Sequence, residues 1–86
     1  MQEIINEKVS VITLYDRNQG VVKPIKIKWQ GRIYPITKIG YHHQVRSGRK
    51  LLHIFSVAND SLAFRLRFDS ETLHWMLEEV SDGLTN

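Results

Sequence analysis

Five short stretches of this sequence alternate between apolar and polar residues, or run apolar, at the length of a β-strand. The clearest is the stretch 62–68, in which apolar residues occupy every second position. Successive side chains of a strand point to opposite faces, so this pattern predicts a strand with one buried face. Together the stretches predict strands at residues 8–15, 25–29, 32–42, 50–57 and 62–68.

Turn-forming residues separate these stretches. Gln30-Gly31 directly follows Trp29 and offers a two-residue turn with glycine where positive φ is expected. Gly48 lies in a second turn, and Asn59-Asp60 lies in a third. Pro35 cannot donate a hydrogen bond to a neighbouring strand, so we expect it at a sheet edge, a bulge or a bend.

The segment 69–80 fits two patterns. Its apolar residues have the spacing of one helix face: Leu73, Met76, Leu77 and Val80. The alternation of Leu73, Trp75 and Leu77 also fits a strand that follows a turn at 69–72. The strand is the favoured interpretation, and a short C-terminal helix is the alternative.

Six short strands joined by tight turns predict an all-β fold. We expect a small antiparallel, SH3-like or otherwise partly closed barrel of five to six strands, because closure removes exposed sheet edges. A chain of 86 residues supports one hydrophobic core, which predicts a single domain over 1–86. Its ordered core is expected over about 8–80, with frayed ends at 1–7 and 81–86. Trp29 and Trp75 are both expected in the core, with Trp75 the more exposed.

Composition and motifs exclude several classes of protein. The chain has no cysteine, which excludes disulfides and thiolate zinc sites. It has no long apolar run, so we expect a cytoplasmic protein with no membrane partner. It also lacks a nucleophile elbow, a phosphate-binding glycine loop and paired carboxylates in its basic middle. We therefore expect no enzyme activity, no catalytic residue and no cofactor.

Charge is segregated along the chain, and this segregation suggests a ligand. Residues 17–67 hold eleven basic residues and one acidic residue, whereas residues 68–86 hold five acidic residues and no basic one. If the strands around 27 and 66 are neighbours, their outward faces and a nearby turn form a cationic patch that can contact phosphates. The candidate nucleic-acid-binding residues are Lys26, Lys28, Arg46, Arg49, Lys50, Arg65 and Arg67, with Tyr41 as a ring on which a base can stack.

Two other readings of the same residues stay open. Glu78 and Glu79 can neutralise the arginines, in which case the cations only keep the surface soluble. Alternatively, the domain is an adaptor that binds a protein through an edge near Pro35 or a surface with Tyr41 and Trp75, or that associates with itself. DNA and RNA are equally compatible with the nucleic-acid hypothesis.

The four histidines do not predict a metal site. His42 and His43 are adjacent, so in a strand they point to opposite faces and cannot both bind one ion. No cysteine or nearby carboxylate completes a ligand set around them. His53 is expected to be a core or half-buried residue and the pair a surface feature, and the role of the pair is left open.

The run at 27–36 reads IKWQGRIYPI, which contains a W-x-G-R-x-Y hairpin, and the run at 75–77 reads WML, a closing W-x-L strand. Over about 22–80, including FRLRFD at 64–69, the sequence resembles a family of small uncharacterised bacterial β-domains. That family is a domain of unknown function with some members encoded near DNA-repair polymerases. The resemblance implies a small β fold with a strand at 73–80, no established activity, and a nucleic-acid context by association.

Overall fold

A computed structural model describes residues 2–82 of the chain as seven strands without a helix. The strands are β1 (Gln2–Asp16), β2 (Val21–Trp29), β3 (Arg32–Pro35), β4 (Lys38–Ser47), β5 (Lys50–Ala58), β6 (Leu62–Asp69) and β7 (His74–Asp82). They form one antiparallel sheet in the order β3-β2-β1-β7-β6-β5-β4. The all-β prediction is confirmed. Over the same residues, no helix is long and apolar enough to cross a membrane.

The strand count exceeds the predicted five to six because Pro35 divides the stretch 32–42 into two strands. β3 ends at Pro35, and β4 begins at Lys38 on the opposite edge of the sheet. A proline has no N–H with which to continue a ladder, so a strand that reaches it ends or bends there.

A two-residue connection joins the two edges of the sheet. Ile36 donates its N–H to the carbonyl of Ile25 on β2 at 2.8 Å, and Thr37 donates its N–H to the carbonyl of Ala58 on β5 at 3.0 Å. β3 and β4 do not pair with each other within residues 2–82, so the sheet is not closed. A sheet whose edges are this close in sequence has to curve strongly.

The segment 69–80 contains a turn and then β7, so the strand is confirmed and the helix alternative is wrong. β7 pairs with β6 along one edge and with β1 along the other. A strand in this position has both edges satisfied, whereas a helix would leave β1 and β6 without a common neighbour.

Both ends of the described chain belong to paired strands. Gln2 and Glu3 of β1 pair with Ser81 and Val80 of β7. Residues 2–7 and 81–82, for which the sequence predicts frayed ends, thus lie within β1 and β7. The remainder of the predicted frayed ends at 1–7 and 81–86 lies outside the described residues.

β1 is the longest strand and has two partners in succession. Its first half pairs with β7 as far as Val9, and its second half pairs with β2 from Ser10 to Asp16. An irregularity between Ile4 and Glu7 coincides with positive φ at Asn6, which is how a bulge bends a strand. This change of partner lets a single sheet curve around its core.

One face of the sheet, here called the core-lining face, carries the hydrophobic core; the opposite face is called the outer face. The buried core residues are Ile27, Phe55, Val57, Phe64, Leu66, Trp75, Leu77 and Val80. Tyr34 of β3 packs its ring edge-on against Phe64 of β6 at 5.6 Å, so strands from both halves of the sheet close over the core.

Both tryptophans contact the core as predicted, but their order of exposure is the reverse of the prediction. Trp75 is only 7% exposed. Trp29 is half-buried, and its indole N–H donates to a carboxylate oxygen of Glu7 at 3.2 Å. Trp29 lies at the end of β2, where the indole can reach the rim of the core and a polar partner at once.

Substitution of Leu77 by alanine tests this assignment of the core. Leu77 is fully buried opposite Leu66, so we expect Leu77→Ala to lower the free energy of unfolding by about 2–4 kcal/mol through lost contacts and a cavity. Leu14 is 54% exposed, and Leu14→Ala should change that energy by less than about 0.5 kcal/mol. Urea unfolding monitored by tryptophan fluorescence measures both. Equal losses in the two variants would contradict the assignment.

Candidate nucleic-acid interface

β2 carries two of the predicted basic residues on the outer face. Ile27 is fully buried in the core, so strand alternation turns Lys26 and Lys28 to the other side. Both lysines are exposed, and neither makes an ion pair with any residue of 2–82. Across the ladder they lie opposite Ile12 and Ser10 of β1. Their charges are available to an anionic ligand.

β6 carries Arg65 and Arg67 on the same outer face, where a single carboxylate binds both. The register between β6 and β7 shifts by one residue, which makes Glu78 an extra residue in the ladder. Arg65 Nε and Arg67 Nη1 each lie 3.0 Å from a different carboxylate oxygen of Glu78. Glu79 instead accepts a hydrogen bond from the side chain of Gln2. Because one carboxylate offsets one guanidinium, the arginine pair keeps a net positive charge.

The turn between β4 and β5 positions the remaining predicted cations. Arg46 and Arg49 are exposed and make no ion pair with a described residue. Lys50 Nζ lies 3.2 Å from a carboxylate oxygen of Asp69. The backbone N–H of Glu71, and after it Lys50, hold the pKa of Asp69 below its ordinary value. The turn thus presents two unpaired cations beside one paired lysine.

The strands that carry these residues are not neighbours. β1 and β7 lie between β2 and β6, which places the two strands about 14 Å apart at the usual spacing between strands. The condition under which Lys26 and Lys28 would directly adjoin Arg65 and Arg67 is therefore not met. The structure instead gives two groups of cations on one outer face.

Lys8 of β1 lies between the two groups. It is opposite Met76 of β7, and Met76 is in turn opposite Arg67 of β6. Its neighbour Val9 is opposite the buried Trp75, so Lys8 belongs to the outer face. No residue of 2–82 forms an ion pair with Lys8.

Adjoining grooves connect the cations. One groove of about 330 Å³ is lined in part by Lys8, Lys50 and Arg67. The next is lined by Lys8 and Lys28 together with Glu7 and Trp29, which lie on the core-lining side, and a third is lined by Lys28 and Lys26. We refer to Lys26, Lys28, Lys8, Arg67 and Lys50 as the basic band. All of these grooves are shallow and open, which suits an extended ligand better than a small molecule.

Lys8 was not among the predicted nucleic-acid-binding residues because the chain around it is acidic. It is the only basic residue among the first sixteen, beside Glu3, Glu7 and Asp16. The outward direction of Lys8 could be predicted from strand alternation, because Lys8 and Ser10 flank the apolar Val9. The strands that pair with β1 could not be predicted in this way.

The two aromatic residues proposed for a binding surface differ in their exposure. Tyr41 is 58% exposed on the outer face of β4, and its ring lies 4.8 Å from the ring of His43. It is opposite Ser56, which is opposite Arg65, so it borders the arginine pair. Trp75 is buried, and the expectation that it contributes to a docking surface is wrong.

His42 and His43 point to opposite faces, as their adjacency predicts. His42 stacks on Phe55 of the core at 4.2 Å, and its Nε2 lies 3.0 Å from Nδ1 of His53. His43 lies against Tyr41 on the outer face. Burial, followed by the nearby His53 and His43, lowers the pKa of His42. Residues 2–82 contain no group of three histidine, aspartate or glutamate side chains arranged to hold a metal ion.

No family model, no curated protein and no solved structure matches this chain. The resemblance to a family of small bacterial β-domains stays an expectation.

Stability should fall on acidification through His42. Because the folded state lowers the pKa of this residue, it favours the neutral imidazole, and protonation favours the unfolded chain. Its contribution is present above the unfolded pKa of about 6.5 and is lost as pH falls from there toward the lower folded pKa. We expect urea unfolding to show this loss between about pH 7 and pH 5. His42→Gln, which keeps a partner for His53, should reduce the loss.

His74→Gln is the matched control for this experiment, because His74 lies at the start of β7 on the outer face, away from the pair of His42 and His53. It should leave the pH dependence of the wild type in place. The same loss in wild type and His42→Gln would contradict the assignment.

Proposed function

We propose that this protein is a non-enzymatic binding module that contacts the phosphates of a nucleic acid through the basic band. The observation that carries the proposal is the position of Lys8. It lies between the lysines of β2 and the cations of β5 and β6, and the grooves it lines extend to both groups. A continuous row of cations on one exposed face is the arrangement that a polyanion binds.

The charges of the band support a ligand outside the protein. Lys8, Lys26 and Lys28 have no anionic partner among residues 2–82, whereas Arg67 shares Glu78 with Arg65 and Lys50 is paired with Asp69. One carboxylate thus holds both arginines in place and leaves the pair with one net positive charge. Ordered cations lose less side-chain entropy when they bind a phosphate.

Residues at the border of the band extend the footprint. Arg46 and Arg49 lie at the β4–β5 turn next to Lys50, and Tyr41 presents an exposed ring beside the arginine pair. Stacking of a base on such a ring contributes about 1–3 kcal/mol in proteins that bind single strands. The proposal assigns no catalytic residue, metal or cofactor, and it places the protein in the cytoplasm, a reducing compartment that a chain without cysteine suits.

We also infer that the curved sheet behaves as a partly closed barrel. Through its cross-strand partner on β2, Pro35 is in register with Ile12 of β1. Through successive cross-strand partners on β5, β6 and β7, Lys38 is in register with Gln2 of β1. Pro35 and Lys38 are close together in the chain, yet their counterparts on β1 are ten residues apart. A stagger of this kind is what closing a sheet requires.

Fluorescence polarisation with labelled single-stranded DNA, duplex DNA and RNA tests the proposed function. We expect micromolar or tighter binding, with the logarithm of the affinity falling against the logarithm of the salt concentration with a slope of about −3, as for about four neutralised phosphates. Lys8→Glu should weaken binding about tenfold and reduce that slope by about 1. Arg17→Glu changes the net charge equally but lies in the turn after β1, five residues beyond Ile12, the partner of Lys26, and should bind nearly as the wild type does.

Absence of binding to all three nucleic acids at low salt would contradict the proposal. So would binding whose affinity does not depend on salt, because phosphate contacts release counterions. An equal loss in Lys8→Glu and Arg17→Glu would mean that net charge, not the band, governs binding.

A protein-binding adaptor is the second candidate, and one observation favours it. From Ser10 onward β1 pairs only with β2, so one edge of the strand is unpaired within the described residues. Ile12 and Leu14, which are 55% and 54% exposed, lie along that edge. An extended peptide can add to such an edge as a further strand. A partner recovered in pull-downs after nuclease treatment, and lost on Ile12→Glu, would support this function.

A further inference from the structure

The turn between β1 and β2 is closed by an aspartate at its first position. The carboxylate of Asp16 accepts the backbone N–H of Asn18 at 2.9 Å and that of Gln19 at 3.3 Å. Gly20 then donates its N–H to the carbonyl of Asp16 at 2.7 Å. The two hydrogen bonds to the carboxylate lower the pKa of Asp16, and all three define the turn 16–20.

The turn between β6 and β7 repeats those hydrogen bonds. The carboxylate of Asp69 accepts the N–H of Glu71 at 2.9 Å and that of Thr72 at 3.3 Å. Leu73 donates its N–H to the carbonyl of Asp69 at 2.7 Å. Residues 69–73 therefore form the same turn as residues 16–20, with leucine at the last position in place of glycine.

The last position of this turn requires a left-handed backbone. Gly20 has φ of 69°, and Leu73 has φ of 64°. Glycine adopts such a φ without a steric penalty, and Gly31 and Gly48 occupy positive-φ positions in two further turns of this protein. A leucine there is strained. Leu73 is the one apolar residue with positive φ among residues 2–82.

Packing does not account for the leucine. Its side chain is 68% exposed, the largest fraction among the large hydrophobic residues of the described chain. It lines a shallow depression with Lys8, Ser10 and His74 of the outer face and with Val9, Val11 and Trp75 of the core-lining face. The strained residue is therefore both exposed and next to the central lysine of the basic band.

We propose that Leu73 is the base-contacting residue of this protein, packing against an unpaired base of a single-stranded nucleic acid whose phosphates lie on the basic band. This inference rests on the proposed function and specifies its ligand. The faces of unpaired bases are apolar and accessible, whereas a duplex stacks them out of reach. Leu73 lines the same depression as Lys8, so it offers such a base an apolar contact next to a cation.

The substitution Leu73→Gly separates this role from a role in folding. It reproduces the residue that the equivalent turn already has in Gly20, so we expect the variant to be more stable, with Tm raised by about 4 °C. Binding to single-stranded DNA should nevertheless weaken about tenfold, because an apolar contact is lost. The slope of affinity against salt should be unchanged, since no phosphate contact is removed. The preference for single strands over duplex should shrink in the same proportion.

Two control variants complete the measurement. Tyr15→Asn removes an exposed large side chain, 64% accessible, from the core-lining side of β1 and should leave binding unchanged. Gly20→Leu introduces the same strain in the other turn and should lower Tm without improving binding.

The outcomes distinguish this inference from the proposed function. If the wild type binds single strands in a salt-dependent way and Leu73→Gly binds equally well, the inference is overturned and the proposed function stands. If Leu73→Gly binds less well but with a reduced salt slope, or is less stable than the wild type, the leucine has a structural role and the inference is overturned. If the wild type binds no nucleic acid, both fail.

Discussion

The outer face depends on the way β1 divides its ladder between two strands. Up to Val9 it pairs with β7, and from Ser10 it pairs with β2. The change of partner falls within the stretch that carries Lys8, so one strand adjoins both groups of cations. The bulge at Asn6, which increases local twist, is part of the same arrangement.

Local pattern was sufficient to predict most strands and the faces of their residues. The burial of Ile27 and the outward direction of Lys26 and Lys28 follow from period-two alternation alone. The order of strands in the sheet does not, because pairing between residues far apart in sequence leaves no periodic signal within either strand. The band could therefore be predicted as two groups of cations but not as a continuous surface, and Lys8 was missed for this reason.

Departures from the strict alternation of buried and exposed residues also mark structural features. In β7 the buried residues are Trp75, Leu77 and Val80, so the spacing changes from two to three. That change marks the bulge that frees Glu78 to bind two arginines. Pro35 is a second case, since it separates what the pattern predicts as one strand. In both places strict alternation is broken at a residue that does not take part in regular strand pairing.

The two aspartate turns allow a comparison within one molecule, because both have the same hydrogen bonds and nearly the same backbone. Gly20 shows that reversing the chain at this turn needs no side chain at its last position. Leu73 adds strain, and most of its apolar surface stays exposed. A ligand that covers this surface would offset the cost of the strain. Strained residues concentrate at binding sites for this reason, and here the strain lies beside the most central charge of the outer face.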